Sequence, residues 1–139
     1  MLELSGKFEE AFDVYKSVFD TDYITPIARM GEIFPRGSEV DLSDFERNGL
    51  VNMELSVVGS HLLMAGDMID SLGQKVSIGN STTTNLELDD VDGARDFHEA
   101  LSQGAIFCAQ PSQTPWTSLW GAGLDRFGIR WMFNVILQN

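Results

Sequence analysis

Asp125-Arg126-Phe127-Gly128-Ile129-Arg130-Trp131-Met132 contains a turn and the start of a strand, and the rest of the chain is read outward from it. An aspartate can hydrogen-bond its own backbone and a glycine takes positive φ without a steric penalty, so Asp125 to Gly128 is turn chemistry. Beyond it, Ile129, Trp131, Phe133 and Val135 alternate with Arg130, Met132, Asn134 and Ile136. That period of two belongs to a strand running from Ile129 to Leu137. One row must face a core or cavity and the other a helix or a partner; the alternation does not say which. Leu119 to Leu124, Ala105 to Ala109 and Thr83 to Leu88 read as further strands. Between the last two, Val91, Ala94, Phe97, His98 and Leu101 recur at helical steps, with Asp89 or Asp90 to cap the start and Gly104 to end it.

The first half repeats this order. Phe8, Ala11, Phe12, Tyr15, Val18 and Phe19 form one apolar helix face, with Ser5 as N-cap and Glu9, Glu10, Asp13 and Lys16 toward water. Tyr23 to Ile33 is an extended candidate whose Pro26 suggests an edge or a bulge. Asn52 to Val58 alternates, Gly59-Ser60 is a hairpin signal, and His61 to Ala65 is the partner strand. Phe34 to Gly49 and Met68 to Thr82 read as loops, the second as a linker. Leu2-Glu3-Leu4-Ser5 precedes the first helix and Leu86-Glu87-Leu88-Asp89 the second. The element order therefore points to an α+β fold of two βαβββ modules in tandem. Module one spans about 1–67, the linker about 68–82 and module two about 83–139, within one domain over 1–139.

Composition narrows the function. The chain has 139 residues, 43% of them apolar, which suits a sizeable core in one domain. Nine Lys and Arg against 21 Asp and Glu give a net charge of −12, with no basic cluster. Such a field repels phosphate backbones and anionic lipid, so neither nucleic acid nor a membrane surface is an expected partner. Cys108 is the only cysteine and reads as a small buried thiol. The start lacks a basic n-region and an apolar h-region, and no stretch reaches transmembrane length, so a reducing cytoplasm is the expected location.

Trp116-Thr117-Ser118-Leu119-Trp120-Gly121 and Asp125 to Met132 resemble the closing signature of PhnB-like proteins of the vicinal oxygen chelate superfamily, alongside glyoxalase I and bleomycin-resistance proteins. Phe8 to Phe12 with Tyr15 to Phe19 is similar to that family's opening helix. Leu63-Met64-Ala65 with Asp67, and Asp89-Asp90-Val91-Asp92, are similar to two internal motifs. The resemblance implies a glyoxalase-like fold in which paired modules curl mixed sheets around a cavity, usually as a homodimer.

Metal-using members of the superfamily hold a divalent ion with side chains from the first and last strands of each module. Matched position by position, the first ligand falls before Met1, the second near Met64, the third on Thr83 and the fourth on Met132. A shift of one residue recovers Glu87 or Asn134, but no single shift recovers all four. The resemblance therefore implies no metal and no cofactor of the glyoxalase I type. Asn52 stands where many PhnB-like chains have a histidine, Thr117 where they have a glycine, and Arg126 where a proline is common. No titrating base is inherited at Asn52.

What remains is a cavity. Trp116, Trp120 and Trp131 offer rigid apolar walls with one N–H each, and Trp116, after Pro115, is the first choice for a pocket lip. Glu54 is a candidate for holding a cation or acting as a base, His61 starts a strand after a hairpin, and Arg29 and Arg130 are candidate anchors for an anion. His98 reads as a packed helix residue and Asp67 as a turn former. Cys108 with two distant histidines does not suggest a catalytic dyad, and no phosphate loop or nucleophile elbow is present. The expected function is metal-independent binding of an unknown small molecule in an aromatic-lined cavity of a homodimer, with cationic or neutral ligands favoured. The alternative is a metal-dependent lyase, isomerase or dioxygenase of the same superfamily.

Overall fold

The computed structural model describes residues 8–59, 61–75, 77 and 79–136. The chain forms two compact units, Met1–Ser77 and Ile78–Asn139. One carries a three-stranded sheet and the other a four-stranded sheet, a mixed α+β architecture. Among the described residues no helix is long and apolar enough to cross a membrane.

In the first unit, α1 (Phe8–Val18) forms where the apolar spacing predicts it and buries Ala11, Phe12 and Tyr15. The expected strand at Leu2 to Ser5, and Ser5 as its cap, lie outside the described residues. Glu9 does not simply face water: both carboxylate oxygens bind the Arg29 guanidinium, at 3.1 and 3.0 Å. The stretch read as extended from Tyr23 to Ile33 pairs only at β1 (Ala28–Arg29) and at an isolated bridge between Tyr23 and Leu55. Pro26 has no N–H for a ladder, and the register shifts between Ala28 and Arg29. Met30–Ile33 is instead a helical turn, α2.

β2 (Leu50–Ser56) and β3 (Leu62–Ala65) make the expected antiparallel hairpin, with Met53 opposite Ala65 and Ser56 opposite Leu62. Gly59 supplies the positive φ of +68° that the reversal needs; Ser60 is outside the described residues. Asp67 closes the hairpin's far end: its Oδ2 accepts from the Leu50 N–H at 2.8 Å, and its own N–H donates to the Leu50 carbonyl at 2.8 Å. Gly66 permits that approach, because a Cβ there would stand 2.4 Å from the Val51 carbonyl oxygen. Ile69, in the stretch read as a linker, is buried with Met30 and Leu42.

The loop between Phe34 and Gly49 holds one more helical turn, α3 (Asp44–Arg47). Its origin is a capping box. Ser43 Oγ accepts from the Glu46 N–H, and the Glu46 carboxylate accepts from the Ser43 N–H. The same carboxylate accepts from the Ser71 N–H at 3.0 Å and from its hydroxyl at 2.7 Å, tying α3 to the 3-10 turn Asp70–Leu72. The Ser43 amide, then the Ser71 amide and hydroxyl, pull the Glu46 pKa from 4.5 down to about 2. A depressed folded-state pKa contributes stability that is complete above the unfolded value and lost as pH falls through the folded one. We therefore expect the stability gap between the wild-type protein and Glu46→Gln to shrink between pH 4.5 and about 2. Urea denaturation across that window reads it, and a gap independent of pH would refute the latch.

The second unit runs β4 (Thr84–Leu88), α4 (Val91–Ser102), β5 (Phe107–Thr114), β6 (Thr117–Leu124) and β7 (Arg130–Ile136). The sheet order is β4-β7-β6-β5; β4 and β7 are parallel and the other pairs antiparallel. A parallel pair requires a crossover, and α4 is part of it. Asp90 caps α4 by accepting from the Gly93 N–H at 2.8 Å and the Asp92 N–H at 3.3 Å. Gly104, at φ +68°, follows its end. β5 starts at Phe107 rather than Ala105 and continues through Pro111 to Thr114. An edge strand tolerates a proline, and the register slips on either side of Ser112.

The α4 side of this sheet is the core. Leu86, Leu119, Trp131, Phe133 and Val135 are buried with Ala94 and Phe97. The Phe97 ring meets Trp131 and Phe133 edge-on at 6.0 and 6.1 Å. That settles the two rows of β7: Trp131, Phe133 and Val135 face the helix.

Candidate functional site

With one row of β7 committed to α4, Met132, Asn134 and Ile136 must project from the opposite face. There they join Glu87 from β4, Trp120 from β6, and Ser112 and Thr114 from β5 around an open concavity of about 800 Å³. Trp116, at the β5–β6 turn, stands at its edge and is 71% exposed. Trp116, Trp120, Met132 and Ile136 give the face an apolar floor and lip. Its polar groups are largely held by one another. Asn134 Nδ2 donates to Asn85 Oδ1 at 2.8 Å, and the Thr114 and Thr117 hydroxyls are 2.6 Å apart. Glu87 lies opposite Asn134 in the β4–β7 register. Such a surface can stack a flat apolar ligand and orient it by a few hydrogen bonds.

The sequence-derived candidates divide. Trp116 and Trp120 lie on this face. Trp131 does not: it is 3% exposed, packs toward α4, and donates its indole N–H to Asp125 Oδ2 at 2.9 Å. It was a wall candidate for its large ring and single N–H, and the row of β7 that it occupies places it in the core instead. Arg130 begins the same strand, half-buried, and its Nε is sealed from solvent without a hydrogen-bond partner among the described residues. Glu54 and His61 belong to the first unit. Glu54 is half-buried and accepts from Asn52 Nδ2 at 3.2 Å, while His61 is exposed. Arg29 is held by Glu9 and by the Asn48 carbonyl at 2.8 Å, which removes it as a free anion anchor.

One constellation was not read from the sequence. Cys108 Sγ lies 3.0 Å from His98 Nε2 and 3.0 Å from Ser102 Oγ. The spacing of His98 and Ser102, one helical turn apart, was the available sign that they share a face.

The residues of the open face do not suit a divalent ion. Among the described residues, no three His, Cys, Asp or Glu side chains gather in a group that could hold a metal. At the concavity a single carboxylate, Glu87, is accompanied by one amide, hydroxyls and a thioether, a weak donor set for Zn²⁺ or for an octahedral cation.

Comparison with solved structures fixes the fold. The chain is similar to protein PA1353 from Pseudomonas aeruginosa, at 25% identity over 96% of this chain and 92% of that one, with a TM-score of 0.75. It is also similar to the PhnB protein from Bacillus cereus, at 16% identity over 94% and 92%, TM-score 0.68. A glyoxylase/bleomycin resistance protein/dioxygenase domain from Frankia sp. EAN1pec matches at 12% identity over 93% and 88%, TM-score 0.63. The fold is therefore PhnB-like, of the vicinal oxygen chelate type. No protein-family model and no curated protein matches the chain.

Proposed function

We propose that this protein binds a small, flat, neutral or cationic molecule on the open face of its second sheet, without a metal. In this reading the two units are tandem modules, the concavity is one wall of the ligand cavity, and the working form is a cytoplasmic homodimer. The observation that carries the proposal is the grouping of Trp116, Trp120, Met132 and Ile136 around one concavity. Four large apolar side chains gathered at an open surface lose hydration free energy when a ligand covers them. The net charge of −12 supplies a field that attracts cations.

A thermal-shift screen of aromatic cations and neutral aromatics tests this, because a ligand that prefers the folded chain raises its apparent stability. Trp120→Ala is expected to weaken a screened ligand about tenfold or more through lost stacking and burial. Isothermal titration of wild-type and variant protein measures it. A ligand bound equally well by Trp120→Ala would move the site elsewhere. Elemental analysis of protein purified without chelator tests the metal-free part. A stoichiometric transition metal would favour the alternative, a metal-dependent lyase, isomerase or dioxygenase of the same superfamily.

A further inference from the structure

One row of side chains crosses the whole open face. Glu87 on β4 lies opposite Asn134 on β7, Asn134 opposite Trp120 on β6, and Trp120 opposite Ser112 on β5. Neighbouring strands are about 4.8 Å apart, so about 10 Å separates the Glu87 backbone from that of Trp120. Two linked aromatic rings cover such a span.

Glu87 is the one charged residue around the concavity among the described residues. It is exposed, and among the described residues its carboxylate has no hydrogen-bond or ion-pair partner. Asn134, next to it in the row, gives an N–H to Asn85 Oδ1 at 2.8 Å, while its own Oδ1 takes no donor among the described residues. Arg130 begins β7 about 13 Å along the strand from Asn134 and does not line the concavity. Two free acceptors therefore stand side by side, one of them charged, at the end of the row beyond Trp120. A neutral ligand that covers them takes the carboxylate from water without replacing its hydration. A quaternary ammonium brings charge but no donor. An amidinium, a guanidinium or a protonated amine brings both.

We propose that Glu87 selects the ligand of the open face as an aromatic cation whose charge sits on N–H groups. The rings stack on Trp120, and the cationic head donates to the Glu87 carboxylate and to Asn134 Oδ1. This rests on the reading of the open face as the binding site and narrows its ligand from neutral or cationic to one class. The net charge of −12 draws every cation toward the chain alike. Glu87 discriminates among them because a charge-assisted hydrogen bond, unlike a long-range field, requires a donor.

Three probes of one shape test this by isothermal titration: 4-phenylbenzamidine, its neutral carboxamide, and biphenyl-4-yltrimethylammonium. The amidine is expected to bind the wild-type protein about tenfold more tightly than either of the others. Glu87→Gln keeps the shape of an exposed, unpartnered side chain and removes its charge, so the fold has no reason to change. In this variant the amidine's advantage is expected to fall to about twofold or less. A carboxamide or trimethylammonium probe bound as tightly as the amidine, or an advantage that survives Glu87→Gln, overturns the role of Glu87 while the open face stands as the binding site. Failure of all three probes to bind the wild-type protein overturns the open-face reading, and this proposal with it.

Discussion

Asp125→Ala is expected to destabilise the protein by about 3–5 kcal/mol, because it strands three donors at once. Asp125 is 3% exposed. Its Oδ1 accepts from the Phe127 and Ile129 N–H groups, both at 2.9 Å, and its Oδ2 accepts from the Trp131 indole N–H, also at 2.9 Å. The backbone completes the turn: the Asp125 N–H donates to the Ile129 carbonyl, and the Gly128 N–H, at φ +87°, donates to the Asp125 carbonyl. One carboxylate thus sets the direction in which β7 leaves the turn and locks the largest core side chain of that strand. Asp125→Asn separates these two roles. The amide oxygen can still accept from the two backbone donors, but the amide N–H₂ then faces the indole N–H, donor against donor. About half the loss is expected for this variant. Urea denaturation followed by tryptophan fluorescence measures both, and an Asp125→Ala loss below about 1 kcal/mol would mean that water serves these donors equally well.

That turn was legible in the sequence because its chemistry is local: the residues that need the carboxylate lie within six positions of it. The two helices were legible for a related reason, since their apolar spacing is a property of one segment. The orientation of β7 was not. Alternation offers two equivalent rows, and only the parallel pairing of β4 with β7, with α4 in the crossover, decides which of them is covered. Trp131 was misplaced by that ambiguity, while Trp120, on β6, and Trp116, in the turn after Pro115, ended on the open face. Short elements were lost differently. α2 and α3 span four residues each, too few for periodicity to register. The one local sign of α3, Ser43 and Glu46 three residues apart, lay inside a stretch read as a loop. The Cys108–His98 contact depends on how β5 returns beside α4 after Gly104, and no spacing rule gives that return.

Gly121→Ala should destabilise the second unit by about 1–3 kcal/mol, although alanine is ordinarily a mild replacement in a strand. Gly121 lies opposite Phe133 in the β6–β7 register, and the phenyl ring covers it. A Cβ at Gly121 would stand 2.3 Å from Phe133 Cε1 and 2.4 Å from Cζ. The ring cannot easily give way. It is 1% exposed, Phe97 meets it edge-on at 6.1 Å, and the His98 ring lies 5.7 Å away on the same side. Strain must therefore pass into β6, whose neighbouring Trp120 projects to the open face. A second substitution identifies the cause. Phe133→Leu alone leaves a cavity and is expected to destabilise by about 1–3 kcal/mol. Combined with Gly121→Ala, it makes room for the new methyl, so the double variant should be more stable than the sum of the single losses by about 1 kcal/mol or more. Strict additivity in the denaturation energies would show that the ring is not what excludes a side chain at Gly121. The same cycle read through ligand affinity asks a functional question. If the packed layer beneath the sheet holds Trp120 in place, Gly121→Ala weakens binding and Phe133→Leu restores it, without either residue touching the ligand.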